Sequence, residues 1–501
     1  MLWFDRVCHA LRDMIKTNLM MASSRGFYWW FIAVLICVFS FTHRLVAETN
    51  YFRSDGGVAR AAALPDNLER AETLSWRVPL DGGHSSPILN SGKIFVTTWR
   101  AKAQELATVA LNEKTGKELW RNTIKPEKIE ELHQIGSPAT ATVACDGKRI
   151  YSFFGSAGMF CYDLDGKKIW EQRMGPFRDE YGAGSSPIVF DGKIILNQDH
   201  DIDNFLIALD CAKGKVLWKT ARPDAVRSYS TPMVWMHDGR PELLVAGALQ
   251  LTAYDPGKGE RLWWLNGLAR IVIPAPVIDG QTIYMASWAP GGDQGKRISF
   301  LPWAAALTKW DKDSDGKLAK SEIDDRDVLE RFFRMDLDQD GRLDQHEWER
   351  HAAVFTHAQN AVLAVKPNDK KGELPDRAVV WKHGRGVPYV SSPVLDRGVL
   401  WMVKDGGIVT KLDAATGELL QEERLPAVGQ YFSSPIAADG KVYFASEPGV
   451  VSVMASQRDW RILSSRDFRE KIFATPAVNA GNLYIRTEEA MYSFHASMAA
   501  H

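Results

Sequence analysis

A phrase of two small residues and a proline, followed by a short apolar run and a glycine turn, recurs along this chain, and it constrains the fold more than composition does. It begins at Pro87, Pro138, Pro187, Pro232, Pro276, Pro393, Pro435 and Pro476. Neighbouring prolines stand about 41 to 51 residues apart, the period of a four-stranded propeller blade. From Pro276 to Pro393 the spacing more than doubles.

Turn chemistry divides each unit into four strands. In the third unit these are "SSPIVF", "KIILNQ", "FLIALD" and "VLWKT", separated by a DG turn, an acidic connection and a second glycine turn. The second turn recurs as "ALNEKTGKELW" (Ala110 to Trp120), "CYDLDGKKIW", "ALDCAKGKVLW", "AYDPGKGERLWW" and "KLDAATGELLQ". That phrase resembles the tryptophan-docking motif of the quinoprotein-type (PQQ-repeat) β-propellers, over Leu74 to Met498. The resemblance implies an all-β fold, an eight-bladed β-propeller. Trp120, Trp170, Trp218 and Trp263 are expected to pack between blades with their indole N–H on a backbone carbonyl. The eighth unit runs out after its third strand, and Leu74 to Leu80, with Trp76, is expected to complete it and close the ring. Links between blades and the second-to-third-strand loops then share one face. That long-loop face is where function is expected.

The oversized fifth unit holds an insertion on that face. The propeller covers 74–288 and resumes over 360–498, leaving 289–359 between. "DKDSDGKLAKSE" places Asp311, Asp313 and Asp315 at alternate positions, Gly316 at the sixth, Lys317 at the seventh and Glu322 at the twelfth. "DLDQDGRLDQHE" repeats this with Asp336, Asp338, Asp340, Gly341, Arg342 and Glu347, and adds Asp344 at the ninth. Alternate carboxylates in a tight loop converge on one hard cation, glycine permits the turn, the seventh residue offers its carbonyl, and the last glutamate offers two oxygens. The segment resembles an EF-hand pair, a small α-helical module that implies two Ca2+ sites. Leu318 and Leu343 are expected to form a β-bridge between the loops. "DVLERFFRM" is expected as one shared helix, with Phe332 and Phe333 packed on Trp303, Leu307, Trp310, Trp348 and Phe355. The calcium is read as a staple rather than a switch. A further acidic run, Asp199, Asp201, Asp203 and Asp210, lacks the turn glycine and reads as a hydrated loop.

The N-terminal 1–47 segment carries Arg6, Arg12, Lys16 and Arg25 before an apolar run over 26–42, with Ala47 beyond it. Two readings stay open: a signal peptide cut near Ala47, or an uncleaved membrane anchor. Both place the rest of the chain outside the cytoplasm, periplasmic or secreted. Residues 48–73 read as a linker. Cys145 and Cys161 fall on the first and third strands of one blade, roughly 9.6 Å apart, beyond disulfide reach. Three free thiols are expected after the signal, with Cys211.

Quinoprotein dehydrogenases of this resemblance hold PQQ with calcium over the propeller axis, commonly beside a disulfide between adjacent cysteines, and use an aspartate as base. This chain has no adjacent cysteine pair, and no residue matches the catalytic aspartate or the cofactor's calcium ligands. The residues favour a non-catalytic extracytoplasmic binding or scaffold protein, with a PQQ-dependent dehydrogenase as the rival reading and no catalytic residue assigned. An envelope-assembly factor like the propeller lipoprotein of the outer-membrane machine would want a lipid-anchor cysteine, which the chain lacks. The partner is expected to be a protein or envelope component on the long-loop face, where Tyr181, Tyr229, Tyr389, Tyr431, His133 and Arg385 precede successive first strands. A formal charge of −1, from 61 basic and 62 acidic residues, provides no field to gather nucleic acid.

Overall fold

In the computed structural model, which describes residues 50–59, 63–179, 181–290, 298–368 and 371–496, eight antiparallel four-stranded sheets, two of them extended by a fifth strand, form the blades. Blade three runs Ile188–Phe190, Lys193–Gln198, Phe205–Asp210 and Val216–Ala221 from inside to outside. We name the four positions A to D. Strands B and C are buried on both faces because neighbouring blades cover them, so they read as continuous apolar runs. Strand D alternates, with one buried aromatic. Between blades three and four, Ile188, Ile195, Leu206, Ala208 and Trp218 meet Leu243, Val245 and Tyr254. Each such aliphatic burial contributes about 1.5–3 kcal/mol.

The recurring tryptophan ties each blade to the next. Trp120 Nε1 donates to Leu164 O at 2.9 Å, Trp170 to Cys211 O at 3.0 Å and Trp218 to Pro256 O at 3.2 Å. The turn glycine of the following blade lies beneath the ring. At Gly214, with φ +67, a Cβ would meet Trp170 at 2.5 Å. Trp263 departs from the expected role: its indole donates to the Glu242 side chain at 2.7 Å, and Trp235 on strand A makes the interblade bond, to Gly280 O at 2.9 Å.

Leu74–Pro79 pairs antiparallel with Ala490–His495 as the eighth blade's outer strand. Trp76 donates to Glu113 O at 3.3 Å, and the ring is closed by both ends of the chain as expected. The second unit begins differently. Its strand A is Ala144–Cys145, and Pro138 belongs to the preceding link, so Thr142 and not Ser137 takes the repeat's hydroxyl position.

That position carries a ring around the axis. The backbone N–H of Ser86 donates to Thr142 Oγ1, Thr142 N–H to Ser186 Oγ, and Ser186 N–H to Thr231 Oγ1. It resumes with Ala275 N–H on Ser392, Ser392 on Ser434, Ser434 on Thr475 and Thr475 on Ser86. Ala275 breaks it, having no hydroxyl to offer Thr231.

Where a linker is expected, residues 50–59 form a strap that plugs the ring from the A–B turn face. Asn50 O accepts from Cys145 N–H, Tyr51 packs against blades two and three, and buried Arg53 donates to Pro435 O and Pro393 O. Val58–Ala59 then pairs in parallel with strand A of blade seven. Burial draws the Arg53 guanidinium down to about 10.

The insertion leaves blade five between strand B, Thr282–Ser287, and strand C, Ala361–Val365. It contains α1 (Trp303–Trp310), α2 (Arg326–Leu329), α3 (Phe332–Met335) and α4 (Gln345–His357). The single shared helix is thus two short ones, broken between Leu329 and Phe332. Phe332 joins Trp310, Val328, Met335 and Trp348 in a small core. Phe333 lies on the far side of the same turn, 67% exposed. Residues 26–42 and Ala47 lie outside the described residues, among which no helix is long and apolar enough to cross a membrane.

Candidate metal centre and axial cavity

Each acidic loop turns at a glycine with positive φ, Gly316 at +80 and Gly341 at +83. The loops are joined back to back by an antiparallel bridge, Leu318 opposite Leu343 and Ala319 opposite Arg342, as the spacing predicts. Carboxylate oxygens of Asp311, Asp313 and Glu322 lie within 4.8 Å of one another, and so do those of Asp336, Asp338 and Asp340. Groups so arranged could hold a metal ion. Glu347 is not in the second group: its Oε1 accepts from Leu337 N–H at 2.6 Å and its Oε2 from Asp344 N–H at 3.1 Å. Asp344 caps α4, accepting from Glu347 N–H at 2.8 Å in a reciprocal box. Glu322 likewise accepts from Lys312 and Ala319 N–H groups.

The cations at the seventh positions cross to the opposite loop. Lys317 Nζ lies 2.6 Å from Asp340 Oδ2, and Arg342 pairs with Asp315 and, at 3.5 Å, with Asp313. Asp315 is not in the first group. Burial raises the Asp336 carboxyl, as it does that of Glu347. One Asp336 oxygen, Oδ1, is buried with no hydrogen-bond partner, an unusual cost in a folded protein unless something else fills the place.

The third acidic run is a pair of ion pairs rather than a hydrated loop. Buried Asp199 takes Arg222 bidentately, Oδ1 to Nε at 2.7 Å and Oδ2 to Nη2 at 2.8 Å, and Asp201 takes Arg227. The arginines come from the following D–A link, so no local spacing announces them.

On the long-loop face, the axis opens into a cavity of ≈ 230 Å³ lined by the hydroxyl ring, Phe52 of the strap, and residues of the D–A links. Tyr181, Tyr229 and Tyr389 line it, with Phe432, Phe473 and His84 forming another wall; His84 stacks on Phe473 at 3.9 Å. Of the other expected contact residues, His133 lies against Tyr181 with ring centroids 5.4 Å apart and Arg385 is exposed. Tyr431 is not at the mouth. It is buried between blades six and seven, its hydroxyl on Ala427 O at 3.0 Å.

Beneath Tyr229 lies a residue that sequence reasoning missed. Asp179 Oδ1 accepts from the Tyr229 hydroxyl at 3.0 Å, and burial pushes its carboxyl up to about 8 against the opposing pull of that bond and of the Tyr181 N–H.

The family described as outer membrane protein assembly factor BamB matches residues 105–328 and 334–498. Quinohemoprotein alcohol dehydrogenase ADH IIB of Pseudomonas putida is 26% identical over 204 residues, 37% of this chain and only 29% of that enzyme's length. BamB from Moraxella catarrhalis has a similar structure, with TM-score 0.54 and 13% identity over 86% of this chain and 98% of that one. Quinohemoprotein alcohol dehydrogenase from Comamonas testosteroni gives TM-score 0.56 and 11% identity over 92% and 83%. At such identities the two structures share the fold alone.

Proposed function

The chain belongs to the PQQ_2 family, the one described as outer membrane protein assembly factor BamB, and on that premise we propose that it is an extracytoplasmic, calcium-binding scaffold protein. It holds a protein or envelope component on its long-loop face. The family description, which names the outer membrane, supports the location. The signal or anchor reading of residues 1–47 agrees with it.

One observation carries the calcium reading: two bridged twelve-residue loops, each with a left-handed glycine and convergent carboxylates. The residues fit a hard cation. Asp336 Oδ1 is an oxygen in want of a partner, and a divalent ion would supply one. Asp311, Asp313, Asp315, the Lys317 carbonyl and Glu322 would hold one ion as an EF-hand. Asp336, Asp338, Asp340, the Arg342 carbonyl and Glu347 would hold the other, with Asp344 anchoring a water. A bound cation would supply positive charge to offset the clustered acids, and Glu322 and Glu347, which now accept from backbone amides, would be the residues to hold it. Calorimetric titration should show two calcium ions per chain. Glu347→Gln should weaken the site in the second loop at least about tenfold, because a bidentate ligand and a charge are lost. A single site, or none, would refute the pair.

The axial lining does not fit PQQ. That cofactor carries three carboxylates, whereas the cavity offers hydroxyls, aromatic rings and the acidic Asp405, without a lysine or arginine among the described residues. His84 is held neutral, its value drawn down to about 3 by burial. This favours the scaffold reading over the dehydrogenase. Absorbance after incubation with PQQ and calcium, followed by dye reduction, tests it; a bound, redox-active quinone would overturn it.

A further inference from the structure

Between the insertion and the ring lies a second cavity, of ≈ 320 Å³, in which Tyr181 and Tyr389 are shared with the axial one. Four arginines line it. Arg227 and Arg270 come from the ring, Arg334 and Arg350 from α3 and α4. Of these, Arg227 is already balanced by Asp201. The rest have no carboxylate within ion-pair distance among the described residues. Arg270 Nε is spent on Pro290 O at 2.9 Å. Arg350 donates to Ala225 O, while its Nε is buried with no hydrogen-bond partner. His351 also faces the cavity, and its Nε2 is likewise buried and unpartnered. Among the described residues Glu347 is the acid in the lining, and its two oxygens already accept from backbone amides.

We infer that this seam between insertion and ring is a binding site for a small oxyanion, a phosphate or carboxylate group, clamped by Arg270, Arg334 and Arg350. Guanidinium groups gathered from two structural parts without their own acids repel one another. A bidentate oxyanion relieves that repulsion and satisfies their forked donors. The repulsion is visible in the guanidinium of Arg270, lowered by burial and by its neighbours Arg334 and Arg227; that of Arg350 is drawn down to about 10 by burial alone, against the pull of Asp201, Asp224, Asp199 and Glu347. Burial and the surrounding arginines hold His351 neutral, near 4, so at neutral pH it adds a hydrogen-bonding edge rather than a charge. Its three clamping residues lie outside both acidic loops, while Glu347 of the second loop borders the same cavity.

Calorimetry of the whole mature chain in calcium-free, phosphate-free buffer tests this, with inorganic phosphate and succinate as probes. Saturable 1:1 binding is expected below about 10 mM for at least one probe. The probe that binds identifies the group as phosphate or carboxylate. Arg334→Gln, at an exposed position that leaves folding intact, should weaken it about tenfold, and Arg334→Lys less. Arg270→Gln should do the same, with the melting temperature as its folding control. Absence of saturable binding by both probes would overturn the proposal. Binding that Arg334→Gln and Arg270→Gln both leave unchanged would equally overturn it, as an adventitious ion only.

Discussion

The Tyr229 hydroxyl donates to Asp179 Oδ1 across 3.0 Å, joining two neighbouring interblade links under the mouth of the axial cavity. A phenol can donate to a carboxylate or to a neutral acid. Here burial favours the neutral acid, and the proton on Asp179 belongs to the fold.

Asp179 therefore predicts a pH dependence. Its folded value, about 8, lies above the roughly 3.9 of an unfolded aspartate. The stability it contributes is complete below about pH 4 and is lost as pH rises through 8, on the order of a few kcal/mol. Asp179→Asn cannot ionise. The variant should melt near wild type at about pH 4 and increasingly above it up to about pH 9; parallel melting curves across that range would show that no buried proton is held.

The break in the hydroxyl ring is repairable. Ala275→Ser places an oxygen where Thr231 N–H points, as its counterparts do for the other blades. A gain of about 1 kcal/mol is expected from one added buried hydrogen bond, read from urea unfolding. A loss would mean that the small side chain is required there.

Gly214 lies beneath the Trp170 ring with φ +67. Gly214→Ala combines an unfavourable backbone region with a Cβ driven into the indole at 2.5 Å. It should cost about 2–4 kcal/mol. Gly192, also left-handed but with nothing within 4 Å, should cost about 1 kcal/mol; chemical denaturation of the two variants separates the ring contact from the backbone term.

Arg342 occupies acids that a cation in the first loop would need, Asp315 and Asp313. These are partly exposed pairs, each contributing about 0.2–1 kcal/mol. Arg342→Gln should tighten calcium binding there two- to fivefold, by about that energy, at low salt, with the gain shrinking as salt rises. Unchanged affinity at low ionic strength would show that the arginine does not compete with the ion.

Cys145, Cys161 and Cys211 are buried, and no disulfide joins them among the described residues. In a chain without residues 1–47, thiol reagents should find three groups in the unfolded, unreduced protein and react slowly with the folded one. Burial raises Cys161 and Cys211, leaving little thiolate to react. An intramolecular disulfide would contradict the arrangement.

The ring was legible because its signals are local. A turn glycine, a tryptophan a few residues on, and a proline at each strand A repeat whatever the rest of the chain does. The same locality misleads at Pro138, where a link carries the phrase by itself, and at Trp263, whose blade hands the interblade bond to Trp235. The acidic loops were legible for a similar reason, since spacing within twelve residues fixes where carboxylates converge. Asp199 was not: its partner, Arg222, stands 23 residues away. Arg53 reaches carbonyls 340 and 382 residues along the chain, and the seam arginines meet only when the insertion folds back onto the ring. Such pairings leave no mark within any short window.

The strap also sets how the molecule bears load. Its residues enter at blade two, rise to the axis and leave along blade seven. Tension applied at residue 50 is therefore shared across opposite sides of the ring, in shear along a strand pair and through Arg53, instead of peeling one edge. The strap lies on the A–B turn side of the ring and the insertion on the long-loop side. Load entering through the strap would thus leave the face that carries the two cavities unstressed.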